Sequence, residues 1–244
     1  LKFIGYSPID FKKQRKPVIV TEYFSNRSLS DVLEIERNNK FIQGWNETKK
    51  LINIFGIASG MSYLHSQGII HKSLKTCNIY LDDILTPKLG DFGLSTRFNA
   101  SESITYQSIS GIKASPIYSS PEVMQKNEFS KASDVYAFAF IVYEIVCKEI
   151  PFKEISNNNL IYNEVVNNNN RPIIHEWVPE VYRKLIEVCW SQEAIKRPSF
   201  EEIVFHLKND PRFITDTVNA ENFHQHINFI ENQQKDEFNK IIET

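Results

Sequence analysis

The sequence runs to 244 residues, long enough to bury a large core as one big domain or two modest ones. Hydrophobic residues at 41% and charged residues at 24% sit near soluble globular averages, and a formal net charge of −2 gives no general pull toward nucleic acid or anionic membranes. Three widely spaced cysteines (Cys77, Cys147 and Cys189), with no C-x-x-C pair, favour a reducing compartment and argue against a disulfide framework or a cysteine-rich zinc site.

No secretory signal opens the chain, and a first residue of Leu instead of Met reads as a fragment, or as a processed or incompletely predicted product. Two strand-like runs, Leu1 to Tyr6 and Pro17 to Tyr23, are joined in hairpin fashion by a basic connector, Lys12 to Lys16. From Thr48 the pattern turns helical: Leu51, Ile54, Phe55, Ala58, Met61 and Leu64 recur at three- and four-residue spacing, and Gly68 stops the run. Residues 69–95 read as small strands and turns, and residues 96–121, rich in Ser, Thr and Tyr, as a long loop.

Helical patterns return at 131–147, 179–190 and 199–208. The stretch Val135 to Cys147 is apolar except for Glu144 and too short to cross a bilayer, so it predicts a buried core helix. The Asn runs 157–159 and 167–170 read as low-complexity loops. After Pro211 a polar tail carries Phe223, Ile227, Ile230, Phe238 and Ile241 at a spacing that suits one or two amphipathic helices. His224 and His226 diverge on such a helix and make no convincing metal pair.

Five segments carry chemistry, in order: His71-Lys72-Ser73-Leu74-Lys75-Thr76-Cys77-Asn78, Asp91-Phe92-Gly93, Ser120-Pro121-Glu122, Asp134-Val135-Tyr136, and Cys189-Trp190 followed by Arg197-Pro198. Each alone is weak; Asp91 before a glycine, for instance, is an ordinary turn-capping aspartate, and Lys75 an ordinary surface lysine. Together and in this order they resemble the protein-kinase signature set: the H-R-D-L-x-x-x-N catalytic loop, the metal-binding D-F-G, A-P-E, the buried aspartate of the large lobe, and that lobe's closing motif. The wording around them, Met61 to His65 and Ser133 to Tyr136, resembles the tyrosine-kinase-like group of Ser/Thr kinases.

The resemblance implies an α+β kinase-like fold: a mostly helical large lobe and a small lobe reduced to its last two strands. A domain over 1–210 is expected, with 1–25 as small lobe and hinge and 26–210 as large lobe, followed by a helical tail at 211–244. Phosphoryl transfer needs positioned phosphates, metal charge to neutralise them, and a group that orients the attacking hydroxyl. By resemblance Asp91 and Asn78 are oxygen ligands for Mg²⁺, Lys75 reaches the γ-phosphate of ATP, and Thr21, Glu22 and Phe24 form the gatekeeper and the backbone strip that meets adenine. Glu122 and Arg197 resemble a structural ion pair.

Ser73 departs from the family, because it stands where the catalytic aspartate is expected. A neutral hydroxyl is no efficient base, and general-base catalysis contributes about 10²–10⁴-fold. Lys72 replaces an arginine and loses its bidentate fork. This puts in doubt any regulation through the loop hydroxyls Ser95, Thr96, Ser101, Thr105, Tyr106 and Ser108. Tyr80 takes the place of a small aliphatic residue under the adenine, where its ring either stacks on the base or fills the space. No Gly-rich loop or V-A-I-K lysine is found in the sequence.

Two readings follow. One is a pseudokinase that scaffolds or regulates a protein partner. The other is an active Ser/Thr kinase acting on a protein substrate, its Gly-rich loop and lysine lying upstream. A helical module whose tail packs on a partner is a third. All are cytoplasmic, with no nucleic acid and no membrane span.

Overall fold

The computed structural model describes residues 2–97, 116–155 and 157–242, with side chains to residue 233. Alternating runs at the start form β1 (Phe3–Ser7) and β2 (Val18–Thr21), paired antiparallel with Tyr6 opposite Ile19 and an irregularity between Phe3 and Gly5. Phe3, Ile4, Tyr6 and Ile19 are exposed on this ribbon. Two strands alone bury little, so its order depends on what it packs against.

The first helix, α1 (Leu29–Arg37), is one the sequence reading missed. Its start is written in Ser28 and Asp31: the Ser28 hydroxyl accepts the Asp31 N–H while the Asp31 carboxylate accepts the Ser28 N–H. The long α2 (Glu47–Ser66) begins at Asn46, whose side chain accepts the Lys49 N–H at 2.9 Å, and matches the helix expected from Thr48.

Short strands follow, as expected: β3 (Ile69–Ile70), β4 (Ile79–Leu81), β5 (Pro87–Leu89) and β6 (Thr96–Arg97). They pair as two antiparallel ribbons, β4 with β5 and β3 with β6. Gly56 and Gly60 let β5 lie close on α2. A β-carbon at either would come within 2.8 Å of Pro87 Cγ or 2.9 Å of Leu89 Cδ1. That close approach fixes where the chain leaves β5, and so where Asp91 falls.

The remaining elements are helical: α3 (Pro121–Lys126), α4 (Lys131–Cys147), α5 (Asn158–Tyr162), α6 (Glu180–Cys189), α7 (Phe200–Asn209) and α8 (Ala220–Ile242). The apolar run over 135–147 is apolar all round because α4 is enclosed, with every residue from Ser133 to Ile145 buried. It packs against α2 and α6, and α7 packs along α2. Ser130 and Ser199 cap α4 and α7 with reciprocal side-chain bonds.

Two expectations change. The first Asn run is not a loop. Asn157 caps α5 by accepting the Asn159 N–H at 2.8 Å, and a single π-helical turn, Asn163–Asn167, carries the chain into the second run. Part of the expected long loop is structured, with β6 at its start and a 3₁₀ turn at Pro116–Tyr118. Ser101, Thr105, Tyr106 and Ser108 lie outside the described residues. The tail forms one helix, whose Phe223 ring meets Phe55 of α2 edge-on at 5.6 Å. The Asn219 N–H ahead of it donates to Thr48 Oγ1 at 2.8 Å. Among the described residues no helix is long and apolar enough to cross a membrane.

Candidate active site

The site grows from two turns that meet. β3 leads into His71, Lys72 and Ser73; β5 leads through Gly90 into Asp91. Both turns hold a non-glycine residue in left-handed backbone, Lys72 at φ 64° and Asp91 at φ 57°. Aspartate tolerates that region better than lysine does. The Lys72 turn is held from below. The Asp134 carboxylate, 2% exposed, accepts the His71 N–H at 2.8 Å and the Lys72 N–H at 2.9 Å, and its Oδ2 lies 2.9 Å from His65 Nε2.

His71 ties one turn to the other. The Ser73 N–H donates to its Nδ1 at 3.3 Å, which leaves Nε2 as the protonated nitrogen donating to the Gly90 carbonyl at 3.0 Å. Burial depresses the basicity of the His71 imidazole, the nearby Asp134 charge opposing, so the ring is neutral in this role.

Ser73, Asn78 and Asp91 converge at the meeting point. Ser73 Oγ donates to Asp91 Oδ2 at 3.0 Å. The Asn78 amide nitrogen lies 2.9 Å from the same Oδ2, 2.8 Å from Ser73 Oγ and 2.7 Å from the Ser73 carbonyl. Asp91 Oδ1 takes none of these donors, and Asn78 Oδ1 meets only the weak Cys77 thiol at 3.7 Å. Two hard oxygens are thus left on adjacent side chains, a donor set that fits Mg²⁺ bound by one or two protein ligands and phosphates.

The other expected residues divide. Lys75 lines a cavity of about 180 Å³ together with Ser73 and Asp91. The Tyr80 ring stacks on Phe24, centroids 5.9 Å apart and planes 17° from parallel. Its Cε2 would lie 2.5 Å from a β-carbon at Gly90, so the ring occupies the space that residue 90 leaves empty. Thr21 closes β2 and Glu22 follows it, tied back to the chain ahead of β1. The Glu22 carboxylate accepts the Lys2 N–H at 2.5 Å, and the Glu22 N–H donates to the Lys2 carbonyl at 3.0 Å.

The Arg197 guanidinium grips Glu122 with both nitrogens, at 2.6 and 2.9 Å, and lies 5.0 Å above the Tyr136 ring. Sequence reasoning missed a second buried network. Glu144 on α4 accepts hydrogen bonds from the Tyr118 hydroxyl and, at 3.3 Å, from the Thr76 hydroxyl, with Arg37 at 3.6 Å. Burial pushes the Glu144 carboxyl above its usual range, and it raises the Tyr118 phenol well above its own. The visible signal was a lone glutamate in an apolar run, since a buried charge needs partners.

The signature set now stands in one geometry. Residues 2–207 match the family model for protein tyrosine and serine/threonine kinase. The chain is 36% identical over 192 residues to a probable serine/threonine-protein kinase of Dictyostelium discoideum, covering 79% of this chain and 20% of that protein. It is 36% identical over 162 residues to the dual specificity protein kinase shkE, covering 66% and 22%, and 32% identical over 193 residues to the probable serine/threonine-protein kinase drkC, covering 78% and 25%; both are from the same organism. The chain belongs to the protein kinase family. It spans about a fifth to a quarter of the length of these relatives.

Proposed function

We propose that this domain is a signalling module of the tyrosine-kinase-like type with little or no phosphotransfer, a pseudokinase working in the cytoplasm on a protein partner. The observation that carries the reading is the Ser73 hydroxyl, whose hydrogen is given to Asp91 Oδ2 at 3.0 Å. A neutral oxygen engaged in this way offers a substrate hydroxyl no base, which removes about 10²–10⁴-fold of rate.

The domain is read as residues 1–210, with 1–25 a remnant of the small lobe and hinge, the large lobe at 26–210 and the tail at 211–244. Asp91 and Asn78 are the residues to hold Mg²⁺, Lys75 to meet the γ-phosphate, and the backbone of Thr21 to Phe24 to meet adenine over the Tyr80 ring. Bound Mg-ATP would supply the phosphoryl group and the charge that neutralises it. The chain's own part is to position these groups. Retention of Asp91, Asn78 and Lys75 together favours a second reading, an active Ser/Thr kinase of reduced rate.

A phosphotransfer assay on wild type and Ser73→Asp separates the two, alongside thermal shift with ATP and Mg²⁺. The pseudokinase reading expects nucleotide binding with negligible wild-type turnover and a gain of about 10²-fold or more in Ser73→Asp. Robust wild-type turnover, unchanged by the substitution, refutes it.

A further inference from the structure

The turn between β1 and β2 gathers positive charge. Residues 8–17 hold Lys12, Lys13, Arg15 and Lys16 against one carboxylate, Asp10, so a local +3 stands in a chain of net −2. All four cations are exposed, and none forms an ion pair or a side-chain hydrogen bond with a described residue. Asp10 serves the turn itself: its Oδ1 accepts the Lys12 N–H at 2.9 Å and the Gln14 N–H at 2.8 Å.

Apolar side chains stand among these charges. Phe11 is the most exposed large apolar residue among the described residues, at 93%, and Ile9 beside it is 46% exposed. Both lie outside the paired strands, on a closed turn. The Asp10 N–H donates to the Gln14 carbonyl and the Lys13 N–H to the Asp10 carbonyl, each at 2.9 Å, with Lys13 left-handed at φ 59°. At the base of the turn Ser7 pairs with Val18. The other end of the ribbon leads through Thr21 to Phe24, whose ring stacks on Tyr80 beside the cleft, and about 10 Å of strand separates the two ends.

We infer that this hairpin tip docks on an anionic lipid surface, its four cations meeting the headgroups and the Phe11 ring entering between them. A closed, projecting turn suits a flat surface and cannot lie extended in a partner's groove. Ile9 gives a nucleic-acid base no ring to stack on, whereas its hydrocarbon suits the acyl boundary as Phe11 does. Clusters of about four to eight Lys and Arg residues are drawn to an anionic membrane face, each residue strengthening attachment by about fivefold. The remainder of the chain is net negative and is repelled by the same face, which orients the molecule tip first.

The test is sedimentation of the full chain with vesicles of phosphatidylcholine, alone or with about 30 mol% phosphatidylserine. Wild type is expected to partition onto the anionic vesicles about tenfold or more strongly at about 0.1 M salt, and to leave them at about 1 M. The combined variant Lys12→Gln, Lys13→Gln, Arg15→Gln and Lys16→Gln should lower attachment by about a hundredfold. Phe11→Ser keeps every charge and should weaken attachment by about tenfold. Both variants change only exposed side chains, and circular dichroism checks that each is folded.

Equal partitioning onto the two kinds of vesicle overturns the inference, and so does a charge variant that binds like wild type. Phe11→Trp reads insertion directly. Its emission on anionic vesicles is expected to be quenched by brominated phosphatidylcholine beyond the wild-type level, and no added quenching overturns the role given to Phe11. A glutamate-only peptide and a single-stranded oligonucleotide are titrated alongside. Binding of either without vesicle binding assigns the tip to that class of partner and overturns the membrane assignment. No readout here depends on phosphotransfer, so failure of this inference is separate from failure of the reading of Ser73.

Discussion

Asp134 is the group whose loss should be felt most widely. Its carboxylate is 2% exposed and accepts three hydrogen bonds at 2.8 to 2.9 Å, two of them from the backbone N–H groups of His71 and Lys72. Asp134→Asn keeps one acceptor oxygen but turns an NH₂ toward at least one of those donors. One buried donor left unmatched costs about 1–3 kcal/mol. Asp134→Ala strips the acceptor from all three, for an upper bound of about 3–9 kcal/mol before water enters the gap. Against a total stability of about 5–15 kcal/mol, the alanine variant should be marginal or unfolded. Urea denaturation of the three proteins at one pH reads this as a graded fall in midpoint, wild type above Asn above Ala. The reasoning is refuted if Asp134→Ala unfolds within about 0.5 kcal/mol of wild type, the range of an ordinary surface change, or if the order of the variants is reversed.

Other perturbations test separate parts of the framework. Arg197→Ala leaves Glu122 without its bidentate partner and should cost about 3–5 kcal/mol in urea; Arg197→Lys, which keeps charge but loses the fork, should fall between it and wild type. Gly90→Ala drives a β-carbon to 2.5 Å from Tyr80 Cε2 and should destabilise the domain by about 1–3 kcal/mol. Adding Tyr80→Leu should recover most of that loss, and a double-mutant cycle showing no coupling would show that the ring is not what fills the space. His226 is neutral in the fold, its pKa lowered to about 4 chiefly by burial, with Lys49 adding to the effect. Between its ordinary value near 6.5 and about 4 the unfolded chain binds the extra proton, so stability is full above that window and falls as pH drops through it. His226→Gln should flatten part of the pH dependence of the urea midpoint between pH 7 and 5, and an unchanged slope would remove His226 as a cause.

The elements legible in the sequence were those whose pattern is set by burial on one scale. α2 shows its three- and four-residue spacing from Leu51 to Leu64, and α4 its long apolar run. α1 escaped because its inward set is only Leu29, Val32 and Leu33, too short for periodicity, although the Ser28–Asp31 cap was there to be read. The first Asn run misled because asparagine's poor helix propensity is outweighed when Ile161 and Val165 are both buried. At the site, Asp91, Asn78 and Ser73 were legible as a motif and do meet. What sequence could not give was the direction of the Ser73 hydrogen, or that Tyr118 and Thr76, 26 and 68 residues away, close over the Glu144 carboxylate.

The way Ser73 sits also explains how the fold bears the substitution. An aspartate at that position would bring a second carboxylate to within reach of Asp91 Oδ2, which Ser73 Oγ now meets at 3.0 Å. Two like charges at such range repel by several kcal/mol unless a proton or a cation intervenes. The serine replaces that repulsion with a hydrogen bond and shares the Asn78 amide with its neighbour. The cleft is therefore held together by its own donors, Ser73 Oγ and the Asn78 amide, both on Asp91 Oδ2 and neither on Asp91 Oδ1. In the proposed reading, a site arranged in this way lacks a group to take a proton and keeps two oxygens for a cation. Scaffolding and phosphotransfer make different demands on the same eight-residue loop, His71 to Asn78. His71 serves the first by fixing the two turns, and in the proposed reading residue 73 answers to the second.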